Sequence, residues 1–370
     1  MLQPFIIAVI KRIIIYIKLN FLMFYIKKQK IRILEIKKWR KAFLSFLCIE
    51  KNRSSDYPDR WNIIEGFARS DITKIKKISD KKHIKDPIVI CVVLNELERM
   101  KVFLDHYRKM GIKLFAFLDN GSSDGTIEYL KKQVDVELFQ TKKPFKSKIK
   151  IGWINRIISY YGTNHWYLVV DADELLVWQN VEEGCIQNVI KYFNENNITR
   201  ARALMIDMYP KEVMLNANVS FEHAYSESRY FDYNTYYHRK ENSLYLISGG
   251  PRKRMFGIDA WLTKYPLFRL DEDEIVCNPH TIYPYNNKKV PCYLAILHYK
   301  FLTRSDKQKM QKYARKGNYA CDSAEYKLYA KKLRENADNF KFYYADSTEY
   351  HSSQSLLKIS EISKSPFGNK

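Results

Sequence analysis

Three acidic residues follow a strongly apolar run in the middle of the chain. The run, residues 166–170, is rich in aromatic and β-branched side chains, and Asp171, Ala172, Asp173 and Glu174 come directly after it. Such a run is typical of a strand buried on both faces, and acidic side chains cannot continue it without partners. Carboxylates spaced by one residue at the carboxyl end of a strand suit Mg²⁺ or Mn²⁺ that holds a substrate diphosphate. The alternative for so short a motif is a solvated acidic turn.

Two earlier apolar runs also end in polar residues. Residues 88–94 stop at Asn95 and Glu96, and a second run stops at Asp119. A segment of helical periodicity that ends at Gly111 separates the two runs, which predicts a strand, a helix and a strand in succession. Because the carboxyl ends of parallel strands meet at one edge of a sheet, we expect all these polar side chains to form a single site.

The three motifs together resemble a known family. N-E after the first strand, D-N-G-S-S-D-G-T after the second and D-A-D-E after a later one are similar to the family 2 type glycosyltransferases with the GT-A fold. The D-N-x-S-x-D-G-T form, preceded by N-E and a helix carrying H-Y, is most similar to the bacterial branch associated with cell-envelope polysaccharide. The resemblance covers about residues 88–302 and is strongest in the first half.

This resemblance implies both a fold and an activity. The fold would be α/β, with a Rossmann-like mixed, mostly parallel sheet flanked by helices. The activity would be the transfer of a single sugar, with inversion, from a nucleoside diphosphate sugar to a hydroxyl of a glycan or lipid-linked glycan. The chain lacks a clear E-D pair followed by the Q-x-x-R-W pattern of processive members, which favours single transfer over polymer synthesis.

The resemblance also assigns residues to the nucleoside. Asn95 and Glu96 would line its pocket, and Asp119 would accept hydrogen bonds from the base or ribose, because a carboxylate only accepts. Asp124 fits a helix cap better than a ligand contact.

The metal site implied by the family contains Asp173 as the principal ligand of Mn²⁺ or Mg²⁺, and Asp171 contacts the ribose or the metal. Many GT-A enzymes complete the coordination with a late histidine, which matches His298 in an apolar strand, with His280 as a substitute. A structural histidine is the alternative for a lone imidazole in an apolar run.

Candidate phosphate ligands and a candidate catalytic base lie further along the chain. Arg252 and Arg254 could grip phosphate oxygens, with Lys264 as a further candidate, although a solvated basic turn is the alternative. Asp259 occupies the place where the family would supply the catalytic base. The acids at 271–274 compete for that role, but four acids in a row more often form a solvated loop.

The positive charge is concentrated at the N-terminus. The net charge is +22, and residues 1–85 hold 21 Lys or Arg and 7 Asp or Glu. Lys11, Arg12 and Lys18 interrupt the apolar stretch at 4–26, so a spanning helix is not expected, and no signal-peptide cleavage site follows. An interfacial helix on anionic headgroups fits this pattern, and a basic helix packed on the main domain is the alternative.

Six scattered cysteines without a C-x-x-C pair favour a reducing, cytosolic setting. We therefore expect peripheral association with the cytoplasmic face of the inner membrane.

The chain divides into three predicted regions. These are a basic amphipathic helical region at 1–85, a GT-A domain at 86–302, and a helical extension with a loosely ordered tail at 303–370.

A nucleic-acid binder is disfavoured because the charge lies away from the carboxylates, which would repel phosphates. A nucleotidyltransferase of related fold would have a glycine-rich basic loop where this chain has N-E-L-E. A non-catalytic, membrane-bound scaffold is disfavoured by the intact acidic motifs.

Overall fold

The computed structural model describes residues 13–21, 38–39, 41–43, 46–47, 57–69, 71–78, 87–163, 165–212, 214–215, 218–241, 244–271, 273–284, 291–335 and 340–367. The helices are α1 (Tyr57–Ala68), α2 (Leu97–Lys109), α3 (Thr126–Lys131), α4 (Ser147–Tyr161), α5 (Ile186–Glu195), α6 (Phe221–Glu227), α7 (Gly250–Phe256), α8 (Arg304–Lys316) and α9 (Ala320–Glu335). The strands are β1 (Thr73–Lys76), β2 (Ile88–Val93), β3 (Leu114–Asp119), β4 (Val136–Gln140), β5 (Trp166–Val169), β6 (Glu174–Trp178), β7 (Arg200–Asp207), β8 (Tyr230–Phe231), β9 (Tyr236–Glu241), β10 (Leu244–Gly249), β11 (Thr263–Arg269), β12 (Ile275–Asn278), β13 (Thr281–Tyr283), β14 (Leu294–His298) and β15 (Thr348–Glu349).

A mixed sheet forms the centre of the molecule. Its strand order is β1-β4-β3-β2-β5-β11-β7-β14-β6. Strands β4, β3, β2 and β5 are parallel, and the connections from β2 to β3, from β3 to β4 and from β4 to β5 each contain a helix. The predicted α/β class is confirmed, and the strand, helix and strand over 88–119 lie where the sequence pattern predicts them.

The expectation of a mostly parallel sheet is wrong. Strand β11 is antiparallel to both β5 and β7, β6 is antiparallel to β14, and β1 is antiparallel to β4. Beyond β5, the parallel pair is β7 with β14. The second half of the chain returns across the sheet instead of repeating strand-helix crossovers, so most pairings in the whole structure are antiparallel.

Both faces of the sheet are covered. Val89, Cys91 and Val93 of β2 belong to one buried cluster, and Ile88 and Ile90 belong to the other. Alternate side chains of a strand point to opposite faces, so a continuous apolar run fits only a strand covered on both sides. The core therefore fixes β2 in the middle of the sheet, with its carboxyl end at the edge that carries the polar residues.

The predicted boundary at residue 85 does not separate two parts of the fold. Strand β1 forms an edge of the main sheet, and α1 packs on α4. The two helices approach closely at Gly66 and Gly152. A Cβ added at Gly152 would lie 2.2 Å from the carbonyl oxygen of Ile63, so no larger residue fits there.

The C-terminal region also differs from expectation. Helices α8 and α9 are present as predicted, but the segment from Thr348 to residue 367 is packed rather than loosely ordered. It forms β15 and a 3₁₀ helix over Ser353–Lys358, and Leu356 and Ile359 are buried. The composition of this segment, apolar residues separated by serines, is that of a loose tail. In the structure Leu356 and Ile359 instead join the buried cluster that contains Val89 and Cys91.

The predicted interfacial helix is only partly described. Residues 13–21 are helical, while 1–12 and 22–37 lie outside the described residues. Within the described ranges, no helix has the length and apolar character needed to cross a membrane.

Candidate functional site

A cavity of about 410 Å³ lies at the carboxyl ends of the parallel strands. Its floor contains the ends of β2 and β3 and the acidic turn between β5 and β6. Residues from the loop after β4 and from α8 and α9 form its walls. Of the predicted residues, Glu96, Asp171 and Asp173 line it, and the neighbouring Asn120 lines it as well.

Asn95 and Asp119 hold the loop between β3 and α3. Asp119 is fully buried, and its carboxylate accepts hydrogen bonds from the backbone amides of Gly121 at 2.8 Å and Ser122 at 3.1 Å. The side-chain oxygen of Asn95 accepts from the backbone amide of Ser123 at 2.7 Å. These side chains are occupied by the loop itself, so they shape the cavity edge.

Asp124 connects two helix N-termini. Its carboxylate accepts from the backbone amide of Thr126 at the start of α3 and from that of Leu97 at the start of α2, each at 3.0 Å. Free amides at helix starts favour a carboxylate acceptor. The expectation that Asp124 acts at a helix start is confirmed.

The acidic turn is held by lysines. Asp171 pairs with Lys150 of α4, and Glu174 pairs with the buried Lys264 of β11. Burial alone would raise the pKa of Asp171, but the ammonium groups of Lys150 and Lys264 lower it. Lys264, predicted as a phosphate ligand, is thus placed inside the protein and neutralises Glu174.

Asp173 and His298 come together as the family resemblance implies. Nε2 of His298 lies 3.3 Å from Oδ2 of Asp173, although 125 residues separate them in the chain, and the backbone amide of Tyr299 donates to the carbonyl of Asp173 at 2.8 Å. Burial alone would raise the pKa of Asp173, but His298 and more distant cations hold it well below its usual range. The carboxylate is therefore ionised and available to a cation.

Asp173, Glu174 and His298 offer ligand atoms that all lie within 4.8 Å of one another. Two carboxylates and an imidazole suit Mn²⁺ among the divalent ions, and the buried partner of His298 on its other nitrogen is typical of metal-binding histidines. Glu174, however, is engaged by Lys264 and by the backbone amide of Asp171. Asp173 and His298 are accordingly the pair best placed to hold an ion, and Asp171 is directed at Lys150.

Glu96 connects the cavity floor to the C-terminal helices. It accepts from Lys309 of α8 at 3.0 Å and from Arg99 at 3.3 Å, and Arg99 also pairs with the buried Asp306 of α8 at 2.5 Å. Burial raises the pKa of Glu96, even though both cations act to lower it. These ion pairs hold α8 against the end of β2, so the cavity has a fixed wall on that side.

The sequence reasoning missed the cations and rings that line the cavity. They are Arg99, Lys142, Lys143, Phe145, Lys150, Lys300, Lys309, Lys312, Tyr313, Lys316, Tyr319 and Tyr326. Two signals were present in the sequence: a basic run directly after β4, at the same sheet edge as the acids, and lysines at helical spacing in α8. The ring centroids of Phe145 and Tyr319 lie 4.9 Å apart, and the two rings form an aromatic surface beside the lysines of the loop after β4.

The two arginines predicted to bind phosphate do not line the cavity. Arg252 is buried and pairs with Asp207 at 2.8 Å and with Glu325 at 3.2 Å. Arg254 pairs with the fully buried Asp232. The structure therefore uses both guanidinium groups to neutralise interior carboxylates.

Asp259 and His280 are likewise outside the cavity lining. Asp259 accepts from Tyr237 and from Arg239 at 3.0 Å on an exposed part of the chain. Nδ1 of His280 lies 2.7 Å from the carbonyl oxygen of Thr263, and burial lowers the pKa of its imidazole to about 4. Of the two candidate histidines, the structure brings His298 and not His280 to the acidic turn.

A scan of protein-family models and a search of curated proteins find no match to this chain.

Proposed function

We propose that this protein is a GT-A glycosyltransferase that moves one sugar from a nucleoside diphosphate sugar to a hydroxyl of a glycan or lipid-linked glycan. The transfer would be metal-dependent and inverting, in the synthesis of bacterial cell-envelope polysaccharide or lipopolysaccharide. The observation that carries the proposal is the meeting of Asp173, His298 and a lysine-lined cavity at the carboxyl ends of β2, β3 and β5. Polar groups from separate strands at one edge of an open sheet are the usual setting of a nucleotide site.

The walls of the cavity suit the parts of such a donor. Phe145 and Tyr319 line the cavity and are aromatic groups on which a base can stack. Lys142 and Lys300 line the cavity and can approach a diphosphate. The presence of aromatic and cationic groups in one cavity therefore supports a nucleotide with a charged tail.

Asp173 and His298 would hold the divalent ion. When bound, the ion would neutralise charge on the diphosphate as the bond between the sugar and the leaving oxygen breaks. Lys150 keeps Asp171 ionised beside it, and Lys264 forms an ion pair with Glu174, so the turn keeps its shape while the adjacent carboxylate of Asp173 binds the ion.

The test is a thermal-shift screen of UDP, GDP and CMP sugars with and without Mn²⁺. We expect one nucleotide class to raise the melting temperature, and to do so only with Mn²⁺. Asp173→Ala should abolish the Mn²⁺-dependent part, because it removes the principal ligand. Asp105→Ala is the matched control, since Asp105 is a surface residue of α2 paired with Lys101.

Two results would count against the proposal. Equal Mn²⁺-dependent shifts in Asp173→Ala and in the wild-type protein would remove the metal site. Larger shifts with nucleoside triphosphates than with any nucleotide sugar would favour the nucleotidyltransferase alternative.

We further propose that the enzyme works at the cytoplasmic face of the inner membrane. In the helical segment 13–21, Ile15 and Leu19 are buried against the domain, whereas Ile14, Ile17 and Phe21 are each more than half exposed. An apolar face turned outward beside basic residues is the pattern of an interfacial helix. At this surface the enzyme would meet lipid-linked acceptors.

A further inference from the structure

A chain of buried charged groups continues from His298 into the protein. Nδ1 of His298 lies 2.6 Å from Oδ1 of Asp207, and Oδ2 of Asp207 accepts from Nε of Arg252 at 2.8 Å. Arg252 then reaches Glu325 of α9. His298 exposes 5% of its surface, Asp207 2% and Arg252 4%, so water does not compete for these bonds.

The fold brings Asp207, His298 and Arg252 together from three distant elements. Asp207 and His298 are the last residues of β7 and β14, and they are direct partners in the parallel register of those strands. Side chains at partnered positions lie on the same face of a sheet, so the two meet at its carboxyl edge. Arg252 comes from α7, which packs on β7.

We propose that Asp207 is a positioning residue of the metal site, which fixes His298 with Nε2 facing Asp173, and that Arg252 holds Asp207 in turn. This inference rests on the metal site of the proposed function. A neutral imidazole has one donor nitrogen and one acceptor nitrogen, so a carboxylate that accepts a hydrogen bond from Nδ1–H leaves the Nε2 lone pair for the ion. Loss of such an outer partner lowers metal affinity about 10- to 100-fold.

Asparagine at position 207 would disrupt this arrangement with little change in shape. The aspartate accepts from both Nδ1 of His298 and Nε of Arg252, one bond on each oxygen. An amide has one oxygen, so it would present its NH₂ group to one of these donors. Arginine has no acceptor atom, so the amide oxygen remains on Arg252 and the NH₂ group faces Nδ1 of His298. The imidazole proton then moves to Nε2 and blocks the ligand position.

Asp232 provides a matched control. It is fully buried, and it accepts from Arg254 at 2.9 Å and from Tyr209 at 2.6 Å, but it has no contact with the acidic turn among the described residues. Asp232→Asn therefore removes a buried charge from an arginine pair without touching His298. The effect of Asp232→Asn on Mn²⁺ binding therefore shows how much the loss of a buried charge elsewhere in the protein contributes.

The experiment measures binding of Mn²⁺ alone to the full chain by loss of the free Mn²⁺ EPR signal. We expect Asp207→Asn to weaken Mn²⁺ binding about 10- to 100-fold and Asp232→Asn to leave it unchanged. In a His298→Ala background, Asp207→Asn should have no further effect, because Asp207 acts through His298.

Unchanged affinity in Asp207→Asn would overturn this inference alone, as would an equal loss with and without His298. Absence of Mn²⁺ binding by the wild-type protein would overturn the metal-dependent function as well. If Asp207→Asn does not fold, ¹⁵N NMR of the wild-type protein decides the question. A protected Nδ1 proton that disappears in His298→Gln supports the bond to Asp207, and its absence contradicts it.

Discussion

The histidines of this chain show how the environment of one residue decides its chemistry. His298 lies between Asp173 and Asp207, and although burial acts to lower the pKa of its imidazole, the two carboxylates raise it above its ordinary value. Nδ1 of His280 instead donates to the carbonyl oxygen of Thr263. Nε2 of His106 similarly lies 2.8 Å from the carbonyl oxygen of Leu176, and burial lowers the pKa of its imidazole to about 4. The two carboxylates therefore favour positive charge at His298, and a divalent ion at Nε2 would supply that charge in place of the proton.

The neutral histidines predict how stability depends on pH. The folded pKa values of His106 and His280 are about 4, below the unfolded value, so between pH 6.5 and pH 4 the unfolded chain binds protons that the native protein does not. Stability should therefore fall as the pH drops through this range, by on the order of 2 kcal/mol for each histidine at pH 5 and on the order of 3 kcal/mol at pH 4.

Urea unfolding at pH 7.5 and pH 5 measures this difference. The double variant His106→Gln with His280→Gln keeps an amide donor for each carbonyl but cannot titrate, so its pH dependence should be smaller. A loss of stability equal to that of the wild-type protein would show that these two imidazoles do not carry the effect.

At the scale of elements, close packing and ion pairs position the walls of the cavity. Helix α4 brings Lys150 to Asp171, and it lies against α1 where Gly66 and Gly152 let the backbones approach. Helix α8 is held to the end of β2 by the pairs of Arg99 with Asp306 and of Lys309 with Glu96. The site therefore depends on helices on two sides of the strand ends.

Gly152→Ala should disturb the first of these contacts. The new Cβ would lie 2.2 Å from the carbonyl oxygen of Ile63 and 2.5 Å from the backbone nitrogen of Phe67, so the helices must separate. We expect a loss of at least about 2 kcal/mol of unfolding free energy, measured by urea denaturation.

Gly184→Ala is the control for this variant. The nearest atoms to its new Cβ are 3.2 Å away, which calls for a much smaller adjustment. An equal loss of unfolding free energy in the two variants would show that the close approach of α1 and α4 at Gly152 does not limit the size of this residue.

At the scale of the whole molecule, charge and apolar surface are unevenly distributed. Residues 1–85 carry most of the net charge of +22. The segment 13–21 presents exposed Ile13, Ile14, Ile17 and Phe21 on the side away from the domain. Buried Ile15 and Leu19 anchor the same segment to the core, so the helix has an inner and an outer apolar face.

The outer face predicts binding to anionic membranes. Replacing Ile14 and Ile17 with Asn should weaken sedimentation with vesicles of phosphatidylglycerol and phosphatidylcholine by about tenfold or more, because each change removes apolar surface from the interface. Val134→Asn is the control, since Val134 is 88% exposed in the loop after α3. Equal vesicle binding by all three proteins, or none by the wild-type protein, would contradict the interfacial helix.

The sequence by itself determined the local structure at one edge of the sheet. Apolar runs that stop at Asn95, Asp119 and Asp171 predict strands and their ends, because periodicity and burial are local properties of the chain. Asp173 and His298 were also identified correctly as neighbours, but through a resemblance and not through spacing. The helix, turn and capping residues near the first strands follow from the same local rules.

Only the tertiary structure decided which charges are free to act. Arg252, Arg254 and Lys264 resemble phosphate ligands in the sequence, yet each is taken up by an interior carboxylate contributed by another element. The pairing of Asp207 with His298, the return of β11 and β6 as antiparallel strands, and the lysines of α8 at the cavity likewise depend on contacts between distant segments. A buried charge must find its partner in three dimensions, and the order of residues along the chain does not specify which partner that is.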